Sequence, residues 1–450
     1  MQPPPHHPST LSDARTTYPL DTQPNHDAES PGFQVTEDDV RAHSVIKRLL
    51  GVERTVIEDV VVEDQAVVVR ARVWARERYR CAHCGRRCSR YDRGRGRRRW
   101  RALDFGSTPV FIEADVQRVK CPQHGVVIGR VPWARRDSGF TRAFEDQVAW
   151  LATNASSSVV SQLMRVAWRT VGRILSRTVE DASARVDLLA GVRRIGIDET
   201  SYRRGHRYLL VVVCHDTGRL LWAAEGRTQA TLQDFFDLLG EERCALVTHV
   251  SCDAAAWIHA CVKHNCPHAL ICMDAFHVVQ WVNDAVDEVR RQHWNDHRDA
   301  GAVEQAANLK GTRWALLKAP EKLTDKQRSV LSEVERLNRP LYRAYLLKEH
   351  VRLLLKRPLE EARASLDQWL VWASHSRLKP MVRVARSIRR VRAFINATLE
   401  HGLSNGRVES VNAKIRLIQQ RAFGFHHPSA LIALAKLTLS GFRPALPGRA

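Results

Sequence analysis

The sequence predicts a multidomain chain of mixed α+β and α/β class. Three observations carry that reading. Residues 193–274 read as three short apolar strands followed by strands that alternate with helices. Residues 277–400 keep a helical apolar period almost throughout. Between about 55 and 125 lies a β-rich segment with two knuckles, Cys81-Ala82-His83-Cys84 and Cys121-Pro122-Gln123-His124. A chain of 450 residues has room for roughly two to four domains, each with its own core.

Taken in order, residues 1–38 are rich in Pro, His, Ser, Thr and Asp without a period and read as a disordered tail. Alternation over 55–73, with Val60, Val62 and Val67, predicts a hairpin. The alternating run 110–119 predicts a strand leading into the second knuckle. Two knuckles on turns can supply the tetrahedral N/S set of a structural Zn²⁺, here Cys81, Cys84, Cys121 and His124. His83 and Cys88 are rival ligands. Arg86, Arg87, Arg90, Arg93, Arg95, Arg97, Arg98, Arg99 and Arg101 surround the first knuckle, with Trp100 among them. Attached to a zinc knuckle, such a cluster reads as a phosphate-tracking surface. Residues 45–130 are therefore expected to be a zinc-binding, DNA-binding β domain.

Residues 140–182 predict a helix-turn-helix. A first amphipathic helix covers 144–152, and a serine-capped second covers 157–164. A turn at 165–167 leads into a third helix from Trp168. Val160, Leu163, Val166, Val171, Ile174 and Leu175 would close a small core. Trp168, Arg169, Thr170 and Arg173 are left on the outer face, as on a recognition helix in a major groove.

Charge points the same way. Lys plus Arg is 70 and Asp plus Glu is 49, so the net charge is 70 − 49 = +21. Arg dominates, and its planar fork suits phosphate. No apolar run reaches the roughly 18 residues of a membrane span. The N-terminal residues lack a basic-then-apolar signal pattern. A cytoplasmic, nucleoid-associated protein is expected, with its ten cysteines reduced, buried or metal-bound.

The strand-rich section reads as strands at 193–198, 207–213 and 219–223, a helix at 229–240, a strand at 245–252, a helix at 254–264 and a strand at 269–273. This is the order of a ribonuclease-H-like sheet, in which the first and fourth strands lie side by side. Asp198, ending the first, and Asp253, ending the fourth, could then share a cation pair. Glu199 should point to the opposite face and is not expected to bind metal. Asp274 ends the last strand and forms a DxxH unit with His277. A third acid must come from a returning helix, and Glu409, in Asn405-Gly406-Arg407-Val408-Glu409, provides one. In the helical stretch between, Trp281, Trp294, Trp314, Trp369 and Trp372 read mainly as core. Arg383, Arg386, Arg389 and Arg390 form a basic face that could meet DNA.

With CAHC, CPQH, IGIDETSYRRGHRY, SCDAA, MDAFHVVQWVNDA and NGRVESVNAKIRLIQQRAFGF in that order, the chain resembles insertion-sequence transposases of the DDE class, specifically the ISL-three (ISL3) family. That resemblance spans about 45–440. It implies a zinc knuckle, a helix-turn-helix, and a ribonuclease-H-like core (193–276 and 401–442) split by an all-α insert (277–400). It also implies Asp198 and Glu409 as first and last catalytic acids. Asp253 is taken as the second metal ligand, with Asp274 and His277 in support. Mg²⁺ or Mn²⁺ at these acids would serve phosphoryl transfer. The expected partners are the element's ends and target DNA, with the protein a homo-oligomer on DNA. Arg97, Arg98, Arg99, Arg169 and Arg173 are the expected DNA contacts. The alternatives are a catalytically inactive zinc and helix-turn-helix regulator, or a non-transposing nuclease of the same fold.

Overall fold

The computed structural model describes residues 37–425 and 427–449. The predicted tail lies outside the described residues apart from its last two positions, which begin the first helix, α1 (Glu37–Leu50).

The N-terminal β region comprises β1 (Thr55–Glu63), β2 (Ala66–Val73), β3 (Ser89–Asp92), β4 (Arg97–Arg101), β5 (Val110–Asp115), β6 (Arg118–Cys121) and β7 (Gly125–Ile128). They form two sheets, ordered β1-β2-β5-β4 and β3-β6-β7. The predicted strand 110–119 is two strands in different sheets, not one, because the ladder breaks at Val116 and Gln117. The core here is Val69, Ile112, Trp100 and Trp133, the two indoles meeting edge to face at 5.5 Å.

Three helices follow: α2 (Arg142–Ala152), α3 (Ser157–Met164) and α4 (Trp168–Ser183). Thr141 and Ser156 cap the first two through their side chains. Arg165 ends α3 in the left-handed conformation, φ 52°, which makes the sharp turn into α4.

The second large sheet contains β8 (Arg194–Arg203), β9 (Arg207–Cys214), β10 (Leu220–Glu225), β11 (His249–Cys252) and β12 (Leu270–Met273), in the order β10-β9-β8-β11-β12. The first three are antiparallel; β11 is parallel to both β8 and β12. The connections carry α5 (Gln229–Leu239), α6 (Glu241–Cys244) and α7 (Ala256–Asn265). Two readings are corrected here. β8 runs on to Arg203, so Asp198 is in mid-strand, and residues 245–248 precede β11 instead of belonging to it.

A run of helices follows: α8 (Ala275–Asp299), α9 (Val303–Gly311), α10 (Arg313–Leu317), α11 (Asp325–Leu337), α12 (Arg339–Leu354), α13 (Leu359–Ser374) and α14 (Lys379–His401). They close a core of their own around Val282, Leu347 and Trp369, whose indole N–H donates to Leu347 O at 2.8 Å. The chain then returns to the sheet with α15 (Gly406–Arg421) and α16 (Pro428–Leu439).

The two faces of the second sheet have different cores. Ile195, Ile197, Leu210 and Val212 pack on α5 and α7. Val211, Val213 and Tyr202 pack on α15 and α16, and that core is continuous with Phe144, Val160, Val171 and Leu175. The three small helices therefore share their core with the sheet's covering helices. Among the described residues, no helix is long and apolar enough to cross a membrane.

Candidate active site

Register brings the aspartates together. Ser251 stands beside Gly196 on one side and Cys272 on the other. Continuing that register by two residues puts Asp253 level with Asp198, and Asp274 level with Asp253. Alternation gives all three the same side of the sheet, the side covered by α15. Adjacent strands lie about 4.8 Å apart, so Asp253 is the middle member of the row.

α15 lies along β8 and is held there at three points. A Cβ at Gly196 would meet Val408 Cγ2 at 2.3 Å, so only glycine lets the helix approach this closely. Asn412 Nδ2 donates to Asp198 Oδ2 at 2.9 Å. Gln419 Nε2 donates to Tyr202 O. The helix start is fixed by a buried polar chain. His215 Nε2 meets Ser251 Oγ at 2.7 Å, Ser251 Oγ donates to Asn405 Oδ1 at 2.5 Å, and Arg407 donates to the carbonyl oxygens of His215 and Asp216. Burial pulls His215 down to about 4, with Arg407 adding to the fall, so the ring is neutral near pH 7.

Electrostatics mark the point on β8 where Asp198 sits. Burial pushes its carboxyl up to about 6, and the Asp253 charge adds to the rise. The Glu199 amide, His277 and Asn412 oppose it. Asp274 is buried, accepts from Phe276 N at the start of α8, and meets His277 Nδ1 at 3.0 Å. That bond, with the Asp253 and Asp198 charges, raises the His277 ring above its ordinary value. Glu199 leaves the row for the other face and ion-pairs with Arg227. Burial pushes it up to about 7 against that guanidinium. Glu409 is exposed in the first turn of α15, one turn before Asn412 and about 60° round the helix from it. It has no ion pair among the described residues, and its carboxylate does not close on Asp198 and Asp253 as metal ligands close on one another.

The cysteine knuckles do close. Among the described residues, Cys81, Cys84, Cys121 and His124 form the one group of three or more His, Cys, Asp or Glu that could hold a metal ion, their ligand atoms all within 4.8 Å of one another. Cys84 Sγ to Cys121 Sγ is 3.7 Å, and His124 Nδ1 lies 3.5 Å from Cys121 Sγ and 3.8 Å from Cys81 Sγ. A tetrahedron with Zn–S bonds of about 2.3 Å has S···S edges of about 3.8 Å, so the set fits structural zinc. The His124 ring lowers the Cys121 thiol to about 6. His83 is not in the set: it stacks on His124 at 4.7 Å and meets Arg136 at 2.6 Å. Cys88 is outside it too, donating to Arg86 O.

The arginines divide. Arg97 and Arg99 are held by Glu113, Arg99 also by Glu63, and Arg98 lies over Trp100 at 5.1 Å. Trp100 is buried and Arg101 pairs with Asp104. On α4, Trp168, Arg169 and Arg173 are exposed, with Arg169 over the Trp168 ring at 5.5 Å and Arg173 on Thr170 Oγ1 at 3.3 Å. Arg165 ties the α3–α4 turn to Asp104 and to Ser107 O, and buried Arg135 binds Glu145, Asp146 and Asp181. On α14, Arg383 pairs with Glu288, whereas Arg386, Arg389 and Arg390 are exposed. Asn412, Asn405, Ser251 and His215 were missed by sequence reasoning. The signals were that Asn405 and Asn412 stand in the same string as Glu409, and Ser251 in the same string as Asp253.

Comparison with known proteins agrees with this layout. Residues 195–435 match the family described as "Transposase", in its ISL3 DDE form. Residues 130–179 match "Helix-turn-helix domain of transposase family ISL3". Residues 77–124 match "zinc-finger of transposase IS204/IS1001/IS1096/IS1165". The chain is 50% identical over 431 residues to the "Transposase for insertion sequence element IS1557" of Mycobacterium tuberculosis, covering 90% of this chain and 97% of that protein. It is 27% identical over 349 residues to the "Transposase for insertion sequence element IS1001" of Bordetella parapertussis, covering 77% and 85%. The chain belongs to the ISL3 family of transposases.

Proposed function

We propose that this transposase binds the terminal inverted repeats of an insertion sequence and catalyses DNA cleavage and strand transfer by metal-dependent phosphoryl transfer on a ribonuclease-H-like core. The observation that carries the reading is the parallel register of β8 and β11, which, continued one residue past β11, brings Asp253 level with Asp198, with the helix bearing Glu409 laid along β8. Three features favour a cation. The Asp253 charge adds to the cost of ionising buried Asp198. Hard carboxylate oxygens are the donors Mg²⁺ prefers. Asn412 Oδ1 is buried with no hydrogen-bond partner among the described residues. Asp198, Asp253 and Glu409 would hold the Mg²⁺ pair, which when bound supplies activation of the attacking hydroxyl and stabilisation of the leaving oxygen.

The chain's own residues do the positioning. Asn412 orients Asp198. The His215–Ser251–Asn405 chain fixes where α15 begins, and so where Glu409 stands. Asp274 orients His277 toward the acids. Glu199 stays with Arg227 and outside the metal set. The zinc-bearing N-terminal β region (the ribbon) and α4 would carry the DNA ends, with Arg169 and Arg173 reading bases and Arg97, Arg98 and Arg99 acting through phosphate. The protein would work as a homo-oligomer on DNA.

The test is a strand-transfer assay with the element's own ends and Mg²⁺. Asp198→Asn, Asp253→Asn and Glu409→Gln are each expected to lose cleavage while keeping fold and end binding. Arg173→Ala is expected to weaken binding to the ends by about 1–3 kcal/mol more than to random DNA. Cleavage surviving in all three acid variants would refute the assignment.

A further inference from the structure

The tip of the β8–β9 hairpin lies outside the row of acids and carries a run of cations. It turns through Gly205 (φ 84°) and His206 (φ 60°), and a bulge between Ser201 and Arg203 re-aims it relative to the rest of the strand. Arg203, Arg204, His206 and Arg207 are all exposed. Arg207 is held by Glu225 at 3.0 Å. Arg203 and Arg204 have no acidic partner among the described residues. Two exposed cations next to one another in the chain, neither held by a carboxylate, are available to an external polyanion.

The hairpin's position says which polyanion. Its root residue Tyr202 packs in the core shared with the helix-turn-helix, and Tyr202 O accepts from Gln419 of α15. Two residues further on, Arg421 donates to Thr153 O, at the corner between α2 and α3, at 2.8 Å. Lys414 and Arg416 are exposed on the same helix. The hairpin thus stands between the helix-turn-helix and Asp198. Arg203 is five residues along β8 from Asp198, about 17 Å, which is the rise of about five base pairs of duplex.

We propose that the β8–β9 hairpin is a phosphate clamp on double-stranded DNA, gripping the backbone about five base pairs from the cleaved bond, between that bond and the segment held by the helix-turn-helix. The proposal rests on the transposase reading. Its test uses the full chain, without divalent metal, on a duplex carrying the terminal repeat and its natural flank. The double variant Arg203→Ala/Arg204→Ala should lower the slope of log affinity against log salt by about 2. It should also lose hydroxyl-radical protection about five base pairs from the cleavage point, while protection of the segment held by the helix-turn-helix is kept. Arg203→Lys/Arg204→Lys should restore the slope. An unchanged slope and footprint in the alanine variant, with specific end binding and Mg²⁺-dependent cleavage intact in the parent protein, would overturn the clamp alone. Loss of single-strand binding with duplex binding unaltered would also overturn it. A parent protein that neither prefers the repeat nor cleaves would instead overturn the transposase reading beneath it.

Discussion

Asp198 and Asn412 are 214 residues apart in sequence and joined by one hydrogen bond of 2.9 Å. The amide donates to Oδ2, while Oδ1 takes the backbone N–H of Glu199 at 2.8 Å. Both bonds orient the carboxylate and favour its charged form against the burial that opposes it. Asn412→Ala should therefore slow cleavage by about 10–100-fold, the usual cost of removing a group that orients a metal ligand. End binding should not change, because Asn412 is buried under the sheet edge. Asn412→Asp should be slower still below neutral pH, since a new carboxyl beside Asp198 disfavours its ionisation. A full cleavage rate in Asn412→Ala would make the bond incidental.

The row of aspartates sets a sharper choice. Asp253 is level with both neighbours, whereas Asp274 is two strand spacings, about 10 Å, from Asp198. Asp274 is also committed to capping α8 and to His277. Asp253→Asn should therefore remove cleavage with Mg²⁺ and Mn²⁺ alike. Asp274→Asn should reduce it and leave a product detectable with Mn²⁺. The reverse ranking, in a gel assay of end cleavage, would make Asp274 the second ligand.

Much of this was legible because the signals were local. Apolar runs marked β8 to β12, amphipathic periodicity marked α2, serine caps marked α3, and cysteine spacing marked the zinc set. The length of β8 was not legible, because Thr200, Ser201 and Arg203 lack apolar alternation and are held by pairing with β9. The break after Asp115 was hidden because Val116 continues the alternation past it, and only Val119, out of phase with the earlier valines, marks the change of sheet. The His215–Ser251–Asn405 chain joins residues up to 154 positions apart, and no periodicity reports such a contact. The three small helices were expected to close a core of their own, whereas Val171, Ile174 and Leu175 share one cluster with Leu431 and Leu434 of α16, a contact that no local pattern reports.

Zinc should behave as a separate structural element. The ribbon core around Trp100 and Ile112 is distinct from the core under α15. Purified protein should carry about one zinc per chain by elemental analysis, as a single Cys₃His set requires. Cys84→Ser should lose that zinc and raise hydrogen exchange in β3, β6 and β7, while β8 and β9 stay protected. Equal exchange in all five strands would show that the cores unfold together.

His215 gives a stability effect whose sign is fixed by its burial. Its folded-state value is lowered to about 4 from an ordinary value near 6.5. The folded protein therefore binds fewer protons than the unfolded chain between those values. The contribution is fully present above about pH 6.5 and is lost as pH falls toward 4. Between pH 7 and pH 5 this one group should cost about 2 kcal/mol of unfolding free energy. Other histidines titrate in the same range, so the informative quantity is a difference. His215→Asn keeps a neutral hydrogen-bonding side chain near Ser251 and cannot be protonated. Denaturant unfolding at pH 7 and pH 5 should show the parent losing about 2 kcal/mol more than this variant. Equal losses would mean that His215 is charged in the folded protein, and that the chain holding the start of α15 is wired differently.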